Sequence, residues 1–196
     1  MRSDGSARSD HDGDDVGHDH VASGPLPGEP DHVDRIVAEW RRERPDLDVA
    51  PQGILGRLHR VAGQLTRELV TVFERHGLTE GEFDVLCALR RVGEPFARQP
   101  AELARHTMIT TGGLTKRLDR LESAGLVLRS RSVGSDGRAK LVQLTPAGAA
   151  TIDAAFTEHM ANEARLVASL DAEDQRDLER ILRRWSRRLG GVPTAQ

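Results

Sequence analysis

Between residues 110 and 140, hydroxyl and cationic side chains recur at spacings that one helix face and one hairpin can present together. Thr110, Thr111, Gly112, Thr115, Lys116 and Arg120 fall in or just before the first turns of one segment, and Arg131 and Arg138 bracket a polar tip beyond it. Hydroxyls, ammonium and guanidinium groups donate to base edges and phosphate oxygens, and glycine lets a backbone approach a surface closely. The chemistry expected of this set is recognition of double-stranded DNA rather than bond-making. From Arg98 to Lys140 nine Lys and Arg stand against four acids, a local charge of +5 in a chain whose net charge is -3. A basic surface inside an acidic chain is the electrostatic footprint of a DNA-binding face.

The segments that must position these groups run AELARHTMITTGGLTKRLDRLESAGLVLRSRSVGSDGRAKLVQL, from Ala101 to Leu144. Pro100 suits the first turn of a short helix, where its missing N–H costs nothing. Thr110 and Thr111 suit the N-terminus of the next. There Leu114, Arg117, Leu118 and Leu121 share one stripe at i, i+3, i+4, i+7, which leaves Thr115, Lys116, Asp119 and Arg120 mostly off it. Gly125 falls where a helix C-terminal glycine is expected. Residues 126–131 and 139–144 read as two strands around the loop 132–138. Helix, turn, helix and basic hairpin describe a winged helix-turn-helix whose second helix enters a major groove.

Two charges on apolar faces need partners. Arg117 lies on the inward stripe, a poor place for a DNA contact, and Asp84 interrupts the otherwise apolar run of residues 83–89. Either would be costly to bury alone, so Asp84 is expected to pair with Arg117 or Arg129.

At 196 residues the chain is one domain with tails. Residues 1–30 are expected to be a disordered acidic tail: residues 1–31 hold eight acids and two arginines and few apolar side chains. His11, His18 and His20 in it lack fixed metal-ligand spacing, so neither a metal nor a cofactor is expected. With no long apolar segment and one cysteine, the chain is expected in the cytoplasm, away from the membrane. No nucleotide loop, nucleophile elbow or metal-binding helix motif points to an enzyme, and His59, His76, His106 and His159 read as surface or capping residues.

The remaining helices carry more apolar surface than one small winged lobe can cover. Asp31 caps a first helix with Val33, Ile36, Val37 and Trp40 on one face. A long second helix, 51–76, carries Ile54, Leu55, Leu58, Val61 and Leu65, and a third spans 79–92. Two more follow Thr145-Pro146 and Asp171, the last with Leu178, Ile181, Leu182 and Trp185 on one face. A homodimer interface would cover these stripes, and its two-fold axis implies a pseudo-palindromic operator. The fold expected is therefore mainly α with a small β-wing: a DNA-binding lobe at about 78–145, dimerisation helices at about 31–76 and 146–189, an extra N-terminal helix, and a tail from 190.

GLTEGEFDVLCALRR, PAELARHTMITTGGLTKRLDRLESAGLV, and the wing pattern DGR followed by LVQLTPAG resemble the multiple antibiotic resistance regulator (MarR) family, over about Asp31 to Leu189. DHVDRIVAEWRRERPDLDV followed by GILGRLHR is similar to the extended first helix of that family's PecS and HucR type, the urate-responsive branch. The resemblance implies a repressor released from its operator by a small anionic ligand such as urate. It places ligand contacts on Trp40, Asp84, Arg117 and Arg129. Read structurally, Asp84 and the arginines equally form a salt bridge holding the wing, and Trp40 a staple for its short helix. Two departures separate this chain from the branch: Lys116 stands where Asn is usual, and Asp136-Gly137-Arg138 replaces Asp-Arg-Arg in a loop one residue longer. The alternatives are an oxidant sensor acting through Cys87, or a regulator responding to a different phenolic or aromatic acid.

Overall fold

The computed structural model describes residues 29–107, 111–131 and 140–190. The expected acidic tail (save its last two residues), the wing loop with Arg138, Thr110, and residues 191–196 lie outside them, as do the side chains of Thr111 and Arg131 and the surroundings of Gly112. The elements run α1 His32–Glu43, α2 Ala50–Arg75, α3 Glu80–Arg90, β1 Ala97–Arg98, α4 Pro100–His106, α5 Thr111–Ser123, β2 Val127–Arg131, β3 Lys140–Leu144, α6 Pro146–Val167 and α7 Ala172–Gly190. The chain divides into two compact units at residues 57 and 58.

In the first unit α1 is too short to persist unaided, and its first turn shows what holds it. The Asp31 carboxylate accepts from the N–H of Val33 (2.7 Å) and of Asp34 (2.9 Å), and Asp34 reciprocates on the Asp31 N–H at 3.0 Å. Arg57, on the second turn of α2, then pairs with both acids, at 2.9 Å and 2.7 Å. Gly56 lets Val33 close in, since a methyl group there would sit 3.1 Å from the Val33 Cγ1. Cap, ion pair and close approach converge on one turn.

The second unit is built around a core of leucines, valines and phenylalanines. Leu86 and Leu89 of α3, Leu103 of α4, Leu114, Leu118 and Leu121 of α5, Val127 and Val142 of the sheet, and Ile152 of α6 are all buried. The α5 stripe read from the sequence is the buried face. Gly77 and Gly125 end α2 and α5 with φ of +69° and +71°, the left-handed conformation that glycine adopts without strain.

The wing is antiparallel, with Val127 opposite Leu144 and Arg131 opposite Lys140. A third strand, β1, adds to its other side, giving the order β1-β3-β2 with Ala97 opposite Gln143. Sequence periodicity did not reveal it, because two residues are too few to show alternation. Its Arg98 reaches across to the Ala88 carbonyl at 3.0 Å, satisfying a helix-end acceptor of α3.

His159 is not a surface residue: it falls on the same α6 face as Ile152 and Ala155, and packs against the rings of Phe73, Phe83 and Phe156. His76 is half-buried and meets Glu158 at 2.7 Å, while His59 and His106 are exposed.

Large apolar side chains remain uncovered within the chain. On α2, Ile54 is 65% exposed and Val61 55%; Leu55, Leu58 and Leu65 are exposed with them. On α6 Phe156, Met160 and Val167 are exposed, and α7 has no buried residue at all.

Candidate nucleic-acid interface

α4, α5 and the wing form the surface that the charge pattern singles out. Glu102 accepts the Gln99 N–H at 3.1 Å where α4 begins, and the Thr107 hydroxyl donates to the Leu103 carbonyl at 2.7 Å where it ends. With Leu114, Leu118 and Leu121 locked in the core, the off-stripe positions Thr115, Lys116, Asp119 and Arg120 are exposed. A cation and a hydroxyl on adjacent positions of a helix anchored along its other side are what groove entry needs.

Arg120 has a partner that sequence reading did not assign. Its Nε lies 3.0 Å from Glu82, whose side chain is 3% exposed. The other Glu82 oxygen accepts from the Thr79 N–H at 2.9 Å and from the Thr79 hydroxyl at 2.8 Å, so one buried carboxylate caps α3 and anchors α5. The Thr-x-x-Glu spacing of residues 79–82 carried the signal for the cap, but nothing in it announced the burial.

Arg129, at the start of the wing, is held by acids of α5 rather than by Asp84. Its guanidinium meets Asp119 at 2.6 Å and Glu122 at 2.8 Å and 2.5 Å, and its N–H donates to Glu122 at 3.2 Å. Residues 119 and 122 are three apart on the helix, so both carboxylates reach the same guanidinium. The hydrogen bonds from Arg129 hold the Glu122 carboxyl below the usual carboxylate range, against a smaller opposing effect of desolvation. Wing and α5 are thereby clamped together.

Arg117 turns toward α3. It is half-buried and lies so close over Gly81 that a methyl group there would overlap its guanidinium. It thus reaches the helix that carries Asp84 but one turn early, and Asp84 forms no ion pair among the described residues. Asp84 itself is half-buried, which leaves it access to solvent and removes the need for a fixed partner. Trp40, on α1 in the first unit, is 47% exposed. A groove of about 510 Å³ opens between the start of α3 and the second half of α5, floored by Leu78, Leu121 and Leu126 and walled by Glu82, Lys116 and Arg120.

Cys87, one turn after Asp84, is half-buried, and burial followed by the nearby Asp84 charge pushes its thiol up to about 12, with Arg91 opposing. That is the protonated form, not the thiolate that reacts with oxidants. Among the described residues no group of His, Cys, Asp and Glu could hold a metal ion, and no helix is long and apolar enough to cross a membrane.

Residues 76–139 match the sequence model of the MarR family. The chain is 41% identical over 157 residues to the HTH-type transcriptional regulator PecS of Dickeya dadantii, covering 80% of this chain and 94% of that protein. A solved structure of mutant MarR from E. coli complexed with operator DNA is similar with a TM-score of 0.59 and 29% identity, over 74% of this chain and 96% of that one. A complex of the Mycobacterium tuberculosis MarR family protein Rv2887 with p-aminosalicylic acid is similar with a TM-score of 0.54 and 35% identity, over 70% and 99% of the two chains. The proteins matched are regulators of transcription, not enzymes.

Proposed function

Since the chain belongs to the MarR family of DNA-binding transcriptional regulators, we propose that it is a homodimeric repressor that leaves its operator on binding a small organic anion, with urate as the ligand. The observation that carries this reading is the Arg129 clamp. One guanidinium bridges Asp119 and Glu122 and ties the wing to the recognition helix α5. An anion that draws Arg129 away leaves two carboxylates on α5 facing each other and frees the wing. The ligand therefore favours the unclamped state by its differential affinity for it, which is the thermodynamic requirement for a switch.

The ligand contacts proposed are Asp84, Arg117 and Arg129. Urate is flat and anionic, so it would be attracted to both arginines and repelled by Asp84. On the DNA side, Thr110, Thr111, Gly112, Thr115 and Lys116 are the proposed groove contacts. Arg131 and Arg138 serve the wing, and Arg120 uses the N–H groups not spent on Glu82 for a phosphate. The dimer is supported by the uncovered stripes of α2, α6 and α7. A phenolic acid is the second ligand reading, favoured by the p-aminosalicylic acid bound to Rv2887.

The test is operator binding by fluorescence anisotropy at fixed salt, with urate and then salicylate added to wild type and to Asp84→Asn. Urate is expected to weaken wild-type binding by at least tenfold, and Asp84→Asn to alter the concentration required. Normal operator binding with an unchanged urate response in Asp84→Asn would remove Asp84 from the mechanism. Release by salicylate alone would replace urate with a phenolic acid.

A further inference from the structure

α7 is divided lengthwise into two unlike faces. Leu178, Ile181, Leu182 and Trp185 follow one another at i, i+3, i+4, i+7, on the side for which a second copy is the proposed cover. Opposite them Arg176, Arg180, Arg183, Arg184, Arg187 and Arg188 recur at i, i+4, i+7, i+8, i+11, i+12. These six lie along the exposed side of the helix, beside Asp177 and Glu179. Arg180 pairs with Asp177 at 3.0 Å and Arg183 with Glu179. Among the described residues Arg176, Arg184, Arg187 and Arg188 make no ion pair.

Two ordinary explanations fall short of this pattern. Cations in the last turn of a helix interact favourably with its dipole, which accounts for Arg187 and Arg188. That effect fades within a turn, so it does not account for Arg176, Arg180, Arg183 and Arg184. General basicity fails too, because the chain carries a net charge of -3.

We infer that the arginine face of α7 binds the phosphate backbone of a second DNA duplex while α5 and the wing hold the operator. The six arginines extend over about 18 Å of helix. A duplex of that length carries about ten phosphate charges, so the four arginines without an acid partner can each meet a phosphate along it. Contacts of this kind are independent of sequence and steep in salt. Their use would be to tether a regulator bound at one site to neighbouring DNA.

A two-duplex capture assay tests this directly. Full-length protein is bound to an immobilised operator duplex, excess is washed away, and a labelled non-operator duplex is offered at low salt. Wild type is expected to retain the label, with retention falling steeply as salt rises. In Arg176→Gln/Arg184→Gln/Arg187→Gln/Arg188→Gln, capture is expected to drop at least tenfold, while operator affinity stays within twofold. The milder Arg187→Gln/Arg188→Gln, at the exposed end of the helix, is expected to give a partial loss should the fourfold variant fail to fold. Replacing the same four by lysine is expected to preserve most capture. Absence of capture by wild type, or equal capture by wild type and the glutamine variants, would overturn the inference. So would a stripe that binds an acidic polyglutamate peptide but no duplex, which would assign it to a protein partner. Operator binding read on the same surface separates failure of this site from failure of DNA recognition itself.

Discussion

At the scale of single residues, the structure distinguishes charges by what they touch. Arg129 serves two carboxylates, and that pairing has a pH signature. The Glu122 carboxyl is held below its usual range in the folded protein, so its contribution to stability is present above the ordinary carboxylate pKa and is lost as pH falls through the lowered one. Thermal melts from pH 6 down to pH 3 are expected to show a steeper loss of Tm for wild type than for Glu122→Gln, in which this linkage is gone. Cys87 gives the opposite kind of expectation. With its thiol pushed up to about 12 it stays protonated through the physiological range, so peroxide is expected to leave operator binding unchanged, and Cys87→Ser to bind within twofold of wild type. Loss of binding on oxidation, restored by that substitution, would revive the oxidant-sensor reading.

Elements were legible in the sequence where one periodic face met clear end signals. The α5 stripe, the terminal glycine Gly125, and the Thr145 cap with Pro146 all behave as their spacing indicated. What escaped were facts about neighbours distant in sequence. Burial of Glu82 depends on α5 lying over α3, the choice of Asp119 and Glu122 over Asp84 depends on where the wing begins, and β1 exists only because β3 offers it an edge. Gly148 shows the same dependence. It sits in the first turn of α6 with the Leu126 carbonyl directly against it, where no side-chain carbon fits. That carbonyl also accepts the Thr145 N–H at 3.1 Å, so it cannot easily move away. Gly148→Ala is expected to cost about 2 kcal/mol, a fall in Tm of about 6 °C by calorimetry. A change below 1 °C would show that the junction of wing and α6 yields freely.

For the whole molecule, the exposed apolar stripes and the DNA-binding surface make one account. A chain that leaves Ile54, Val61, Phe156, Leu178 and Leu182 uncovered has apolar surface to bury against a copy of itself. Leu182→Asp is accordingly expected to shift the solution mass measured by light scattering from twice 21.5 kDa to 21.5 kDa, and to weaken operator binding with it. The central claim is that an anion opens the Arg129 clamp and so releases DNA. Its most direct test is an operator titration at fixed salt for wild type and Arg129→Ala, each with and without urate. The account expects a urate-dependent loss of at least tenfold in wild-type affinity and a response of less than twofold in Arg129→Ala. An equal urate response in the two proteins would contradict it, and would return Arg129 to a purely structural role between the wing and α5.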